Sequence, residues 1–141
     1  MVLVLSVLMA MAADPDAKTD AEIVKLQKER VTTLREAVKA TKESLDAGTV
    51  TLDRLAAAAR MLLDAELELA TRPAERIAAR QAYLVLVVAM DKQSEARFAA
   101  GVLTTSERAM ARAARLQAEI ELRREGGKPP KDLAWPGAAK P

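Results

Sequence analysis

Leu45-Asp-Ala-Gly-Thr-Val-Thr51 and Phe98-Ala-Ala-Gly-Val-Leu-Thr104 lie 53 positions apart, and each breaks a long helix-forming stretch at a glycine followed three residues later by threonine. The same offset sets Leu63-Asp-Ala-Glu-Leu-Glu-Leu69 over Leu116-Gln-Ala-Glu-Ile-Glu-Leu122, and 10 of the 25 positions from 45 to 69 are identical to their partners. This pattern reads as an internal duplication in which each copy is a helix, a glycine tip and a returning helix. The expected fold is therefore all-α: two repeated antiparallel helical hairpins, over 20–70 and 71–126, forming an elongated up-down four-helix bundle or coiled coil.

Composition agrees with long helices. Of the 141 residues 50% are hydrophobic and 30% charged, yet the aromatics are only Tyr83, Phe98 and Trp135. Packing must come from aliphatic and small side chains. The net charge of +2 is carried by the segment after Glu125, where Lys128, Lys131 and Lys140 outweigh Asp132. The nearly neutral body lacks the basic face and stacking aromatics of a nucleic-acid binder. The chain has no cysteine and no histidine, which removes disulfides, thiolate nucleophiles, the commonest general base and the commonest metal ligands.

Residues 1–12 are uncharged and mostly apolar and end in Ala10-Met11-Ala12. That small-x-small ending suits a secretory signal cleaved before Ala13, although no basic residue precedes the apolar run. Residues 13–19 read as a polar lead-in, and Thr19-Asp-Ala-Glu22 as a capping box that starts the first helix. Val24, Val31, Val38 and Leu45 then recur every seven residues, with Gln27, Leu34 and Thr41 between them, as a heptad seam up to Gly48. Gly48 suits the left-handed residue that closes a helix, and Thr51 the cap of the next, over about 52–70. Pro73 suits a first helical turn, because its missing N–H has no partner there. Thr104-Thr-Ser-Glu107 is a full capping box opening a fourth helix that stops at Gly126-Gly127. Residues 127–141, with four of the six prolines, read as a disordered tail carrying Trp135.

The third helix, about 73–100, has an imperfect seam: Ile77, Leu84, Val87 and Phe98 share it with Arg80, Asp91 and Ser94. Its middle, from Tyr83 through Leu84, Val85, Leu86, Val87 and Val88 to Met90, is apolar on every face. Such a helix must be covered on all sides. In a thin four-helix bundle some of these side chains are expected to face outward, which makes residues 83–88 a candidate self-association face in a homo-oligomer.

The carboxylates that merit a test are Asp64, Glu66 and Glu68 with Glu119 and Glu121, since Glu66 and Glu119 occupy equivalent positions in the two copies. Carboxylate di-metal bundles add a Glu-x-x-His pair, which a histidine-free chain cannot supply. Ion pairing with Arg60, Arg112, Arg115 and Arg123 is the expected role, and Glu119 with Arg123 has the favoured i,i+4 order. No phosphate loop, nucleophile elbow or zincin motif occurs, so neither a cofactor nor a small-molecule substrate is expected.

Phe98, Gly101, Thr104 and Glu107 reproduce a pattern of aromatic or leucine, glycine three on, serine or threonine three further and an acid three beyond that. The first copy has Leu45, Gly48 and Thr51, with Arg54 at the acidic position and Asp53 one residue early. These tips resemble the periplasmic hairpin tips of the TolC-type outer-membrane efflux protein family, over roughly residues 24–125. The resemblance implies a helical-hairpin fold, an envelope location and tips that face a partner coiled coil. It does not extend to a channel, since no alternating ten-residue strands are present. The expectation is a non-enzymatic, exported interaction or structural module, with Gly48, Thr51, Gly101, Thr104 and Glu107 as partner contacts. The alternative is a periplasmic holdase that offers the apolar surface of its third helix to unfolded clients.

Overall fold

A computed structural model describes residues 15–131, with side chains from residue 18. The signal-like segment 1–12 and Trp135 lie outside the described residues. Four helices succeed one another: α1 (Pro15–Asp46), α2 (Leu52–Leu69), α3 (Pro73–Ala99) and α4 (Thr105–Arg124). The chain is all-α. Helix α1 packs against α2, α2 against α3 and α3 against α4, while among the described residues α1 and α4 do not meet. The array is open, with α2 and α3 inside and α1 and α4 at its edges.

Burial reflects that order. Val38 and Leu45 of α1, Leu55 and Ala59 of α2, and Leu86 and Met90 of α3 form one core cluster. Leu84, Val87 and Val88 of α3 form a second with Ala118 and Leu122 of α4. Helix α3 therefore contributes to both cores from different sides, which is why its middle is apolar all round. Leu84, Leu86, Val87 and Val88 are buried within the chain, and Tyr83 and Val85 are half-buried. Most of the expected self-association face at 83–88 is therefore covered within the chain, by α2 and α4 on two sides and by Val38 and Leu45 of α1 at the first cluster.

The heptad seam of α1 faces α2 as its spacing requires: Val31, Val38 and Leu45 are buried and Leu34 and Thr41 half-buried, while Val24 at the far end is exposed. Two boundaries differ from those expected of the sequence. Helix α1 begins at Pro15, so Thr19 lies inside the helix, and residues 15–19 are not a lead-in. Proline tolerates this first position for the same reason that Pro73 tolerates the start of α3. The segment after α4 also begins in contact with the fold. A Cβ at Gly127 would collide with Leu122 and approach Ile77 Cγ2 to 3.0 Å, and Gln81 Nε2 donates to the Lys128 carbonyl at 2.9 Å.

The polar residues on the α3 seam set its register against α4. Arg80 donates to Glu121 Oε2 at 2.7 Å and to Glu125 Oε2 at 2.8 Å. Asp91, only 6% exposed, accepts from Arg115 Nη1 at 3.1 Å through Oδ2, while its buried Oδ1 has no hydrogen-bond partner among the described residues. Asp91 stands where the first copy has Val38. A buried carboxylate is tolerated only with its cation, whereas an apolar pair of similar volume can replace both partners. Arg115→Met is expected to destabilise the fold by about 1–3 kcal/mol, and Asp91→Val in the same background to recover most of that loss, as read from urea unfolding midpoints.

Candidate functional site

Both tips close with the same backbone device. Gly48 (φ 75°) donates to the Leu45 carbonyl and Thr49 to that of Ser44, at 3.0 and 2.9 Å. Gly101 (φ 73°) donates to Phe98 and Val102 to Arg97, both at 2.9 Å. This pairing satisfies carbonyls that the last helical turn leaves free, and its positive φ is why glycine stands at each tip.

Beyond the two glycines the tips diverge. In the second tip Thr104 N and Thr104 Oγ1 each donate to Glu107 Oε2 at 2.8 Å, and Glu107 N donates to Thr104 Oγ1 at 3.2 Å. The backbone N–H of Thr104 first, and its hydroxyl second, hold the Glu107 carboxyl below the usual carboxylate range. In the first tip Thr51 has an extended backbone but makes no capping bond through its side chain. Arg54 occupies the position of Glu107, so the reciprocal acceptor is missing and the expected Thr51 cap does not form.

The side chains beneath the tips differ in the same sense. Leu45 and Leu55 are buried together in the first core. Their equivalents, Phe98 and Arg108, stack with the guanidinium carbon 4.1 Å from the ring centroid, and Arg108 also approaches Glu95 to 3.7 Å. An aliphatic pair serves where α3 covers the tip, and an amphipathic cation–π pair serves at the edge, where water reaches it.

The two tips border one groove of about 460 Å³. Gly48, Val50, Thr51 and Leu52 line it from the first hairpin, and Val102, Leu103, Glu107 and Met110 from the second. Met90 and Arg97 of α3 also line it, and Arg97 Nη2 donates to the Leu45 carbonyl at 3.4 Å, which ties the end of α3 to the last turn of α1. Of the five sequence-derived tip residues, Gly48, Thr51 and Glu107 meet in this groove. Gly101 and Thr104 instead shape the backbone that presents Val102 and Leu103. The sequence does not single out Val102 and Met110, each 69% exposed, because neither belongs to a seam or a cap.

A larger groove of about 710 Å³ lies at the other end, between α1 and α3 over the end of α2. Its carboxylates are occupied: Glu66 by Arg35, Glu68 by Arg30 and Glu75 by Arg72. The rest of the sequence-derived carboxylate cluster is likewise paired, Asp64 with Arg60, Glu119 with Arg123, and Glu121 with Arg60 and Arg80. Burial pushes the Glu121 carboxyl up, but the Gln117 amide and the two guanidinium groups outweigh it and leave Glu121 below the ordinary carboxylate value. Among the described residues no group of three acidic side chains is placed to hold a metal ion, and no helix is long and apolar enough to cross a membrane.

Arg54→Glu gives the first tip the capping box it lacks and is expected to raise stability by about 0.3–1.5 kcal/mol at neutral pH. A capping carboxyl has its folded pKa depressed, so its contribution is present above the ordinary value of about 4.3 and is lost as pH falls through the folded value. Thermal melts of the variant and of the parent chain should therefore converge in acid; a gain that persists at pH 2 would contradict the capping role. Comparison with protein-family models, curated proteins and solved structures finds no match to this chain.

Proposed function

We propose that the chain is a non-enzymatic, exported helical-hairpin module of the cell envelope whose paired tips receive a helix of a protein partner. The observation that carries this reading is the tip groove, where Val102 and Met110 stand exposed beside the apolar Val50, Leu52 and Leu103. Large aliphatic side chains held by a fixed turn at a groove mouth are the anchors that an amphipathic helix needs. Helices α2 and α4 both run away from the tips, so a helix laid between them would complete a local bundle over α3. The resemblance of the tips to TolC-type hairpins supports a coiled-coil partner and an envelope location, and the apolar segment ending at Ala12 supports export. Without histidine or cysteine, and with its clustered carboxylates paired to arginine, the chain has little to offer as an enzyme. The holdase alternative needs an exposed apolar run on α3, and Leu84, Leu86, Val87, Val88 and Met90 of that run are buried.

Photo-crosslinking groups placed at Val102 and at Met110 in the native host are expected to trap one discrete partner in the envelope fraction, and the same group at Glu36, on the exposed side of α1, to trap none. Val102→Glu with Met110→Glu should abolish the product while leaving the helical content unchanged. Uniform crosslinking at all three positions would overturn the tip reading. Mass spectrometry of the native protein tests export separately: the proposal requires Ala13 at the N-terminus, and an intact Met1 in a cytosolic fraction contradicts it.

A further inference from the structure

We infer that the two open edges of the array are complementary, and that a second copy of this chain docks its α1 onto α4 in the way that α3 docks onto α2. Helix α2 presents Leu55, Ala59 and Leu63 on one stripe, four residues apart, with Leu55 and Ala59 packed in the cluster that holds Leu86 and Met90 of α3. One turn further along the stripe comes Leu67. The duplication places Arg108, Arg112, Leu116 and Ile120 at these positions on α4. Leu63 is 1% exposed, whereas Leu116 and Ile120 are each 45% exposed; among the described residues α2 packs against two helices and α4 against α3 alone.

Helix α1 has the matching deficiency. Among the described residues α1 packs against α2 alone, and it leaves Ile23 47% and Leu26 64% exposed. The antiparallel register of α2 against α3 is fixed by the turn at Ala70–Arg72 and by Arg60, whose guanidinium lies 6.0 Å from the Tyr83 ring centroid. One turn beyond Arg60, Leu63 is level with α3 near Ala79–Ala82, and Leu67 with α3 near Glu75–Ala78. Moving back by the 53-residue offset, these α3 segments become Leu26–Glu29 and Glu22–Lys25 of α1. The internal packing rule applied between chains thus sets Leu116 beside Leu26, the counterpart of Ala79, and brings Ile120 level with Ile23 at the margin of the same edge, so the exposed aliphatic residues of one edge meet those of the other. The upper half of each edge is polar, with Arg112 on α4 and Thr33 on α1, while Arg108 and Arg30 at its margin turn back to Glu95 of α3 and Glu68 of α2 in the same chain, so the apolar contact is confined to the same half of both. The contact is heterologous, one edge against the other, rather than a patch against itself.

Sedimentation of the full chain over a concentration series tests this. The parent chain is expected to show a weight-average mass that rises with concentration, and Leu26→Glu and Ile120→Glu each to stay monomeric with unchanged helical content. Mixing the two variants is the discriminating step: Ile120→Glu retains a sound α1 edge and Leu26→Glu a sound α4 edge, so an equimolar mixture should form a species of twice the monomer mass and no larger. Because the chain holds no cysteine, Leu26→Cys and Leu116→Cys chains can also be mixed and oxidised, with a hetero-disulfide dimer expected in excess of either homodimer. A parent chain that stays monomeric throughout overturns the inference. So does one variant that still dimerises alone, or a mixture that gains no mass.

Discussion

One helix that is apolar on every side forces the arrangement of the other three. Between Tyr83 and Met90 helix α3 has no face that water can occupy at little cost, and each large aliphatic left exposed there would forgo roughly 1.5–3 kcal/mol. Neighbours are therefore required on more than one side. The chain supplies them from the two helices adjacent in sequence, α2 and α4, and from α1, whose Val38 and Leu45 reach the same cluster as Leu86 and Met90. In this arrangement α1 and α4 do not meet among the described residues, and each keeps a side that no described helix covers.

Polar residues then fix what apolar packing leaves loose. Aliphatic and alanine surfaces slide on one another at small cost, since adjacent registers bury similar areas. Arg80 between Glu121 and Glu125, and Asp91 against Arg115, permit one alignment of α3 with α4. Arg35 with Glu66 and Arg30 with Glu68 have the corresponding place between α1 and α2. These outer pairs are more exposed and weaker. The α1–α2 pair relies instead on an uninterrupted valine seam, so the hairpin with the poorer hydrophobic pattern has the more buried charges.

The helices and their ends were largely legible in the sequence. The tips at Gly48 and Gly101 and the box at Thr104–Glu107 are set by local backbone chemistry, which a few adjacent residues carry in full. The start of α1 was not, because Thr19-Asp-Ala-Glu22 and Pro15 are competing local signals and the sequence does not rank them. Nor were the surroundings of Tyr83–Val88: periodicity shows that a helix is apolar all round but not how many neighbours cover it. Arg80 and Asp91 stood out as faults in a heptad. Their meaning lay in Glu121, Glu125 and Arg115, more than 20 residues away, and became visible only once α3 and α4 were aligned antiparallel. The groove residues Val102 and Met110 carried no periodic signal, since exposure rather than spacing distinguishes them.

Position in the array gives equivalent residues of the two copies unlike surroundings. Ala65 and Ala118 are both buried, as each faces the preceding helix of its own hairpin. Leu63 and Leu116 diverge: among the described residues α2 lies between two helices, whereas α4 packs against α3 alone. Substitution has tracked this divergence in places: Leu55 and Ala59, interior, correspond to Arg108 and Arg112 at the edge. It has not tracked it at Leu116 and Ile120, where the edge keeps aliphatic residues although water covers nearly half of each. A surface helix with no further contact to make gains nothing from leucine and isoleucine there, and arginine is already the replacement one and two turns earlier on the same stripe. The stripe thus changes character part-way along α4, and α1 changes character at the same level, from Thr33 to Leu26 and Ile23. Two edges that switch from polar to apolar at the same level follow the register that joins α2 to α3 within the chain.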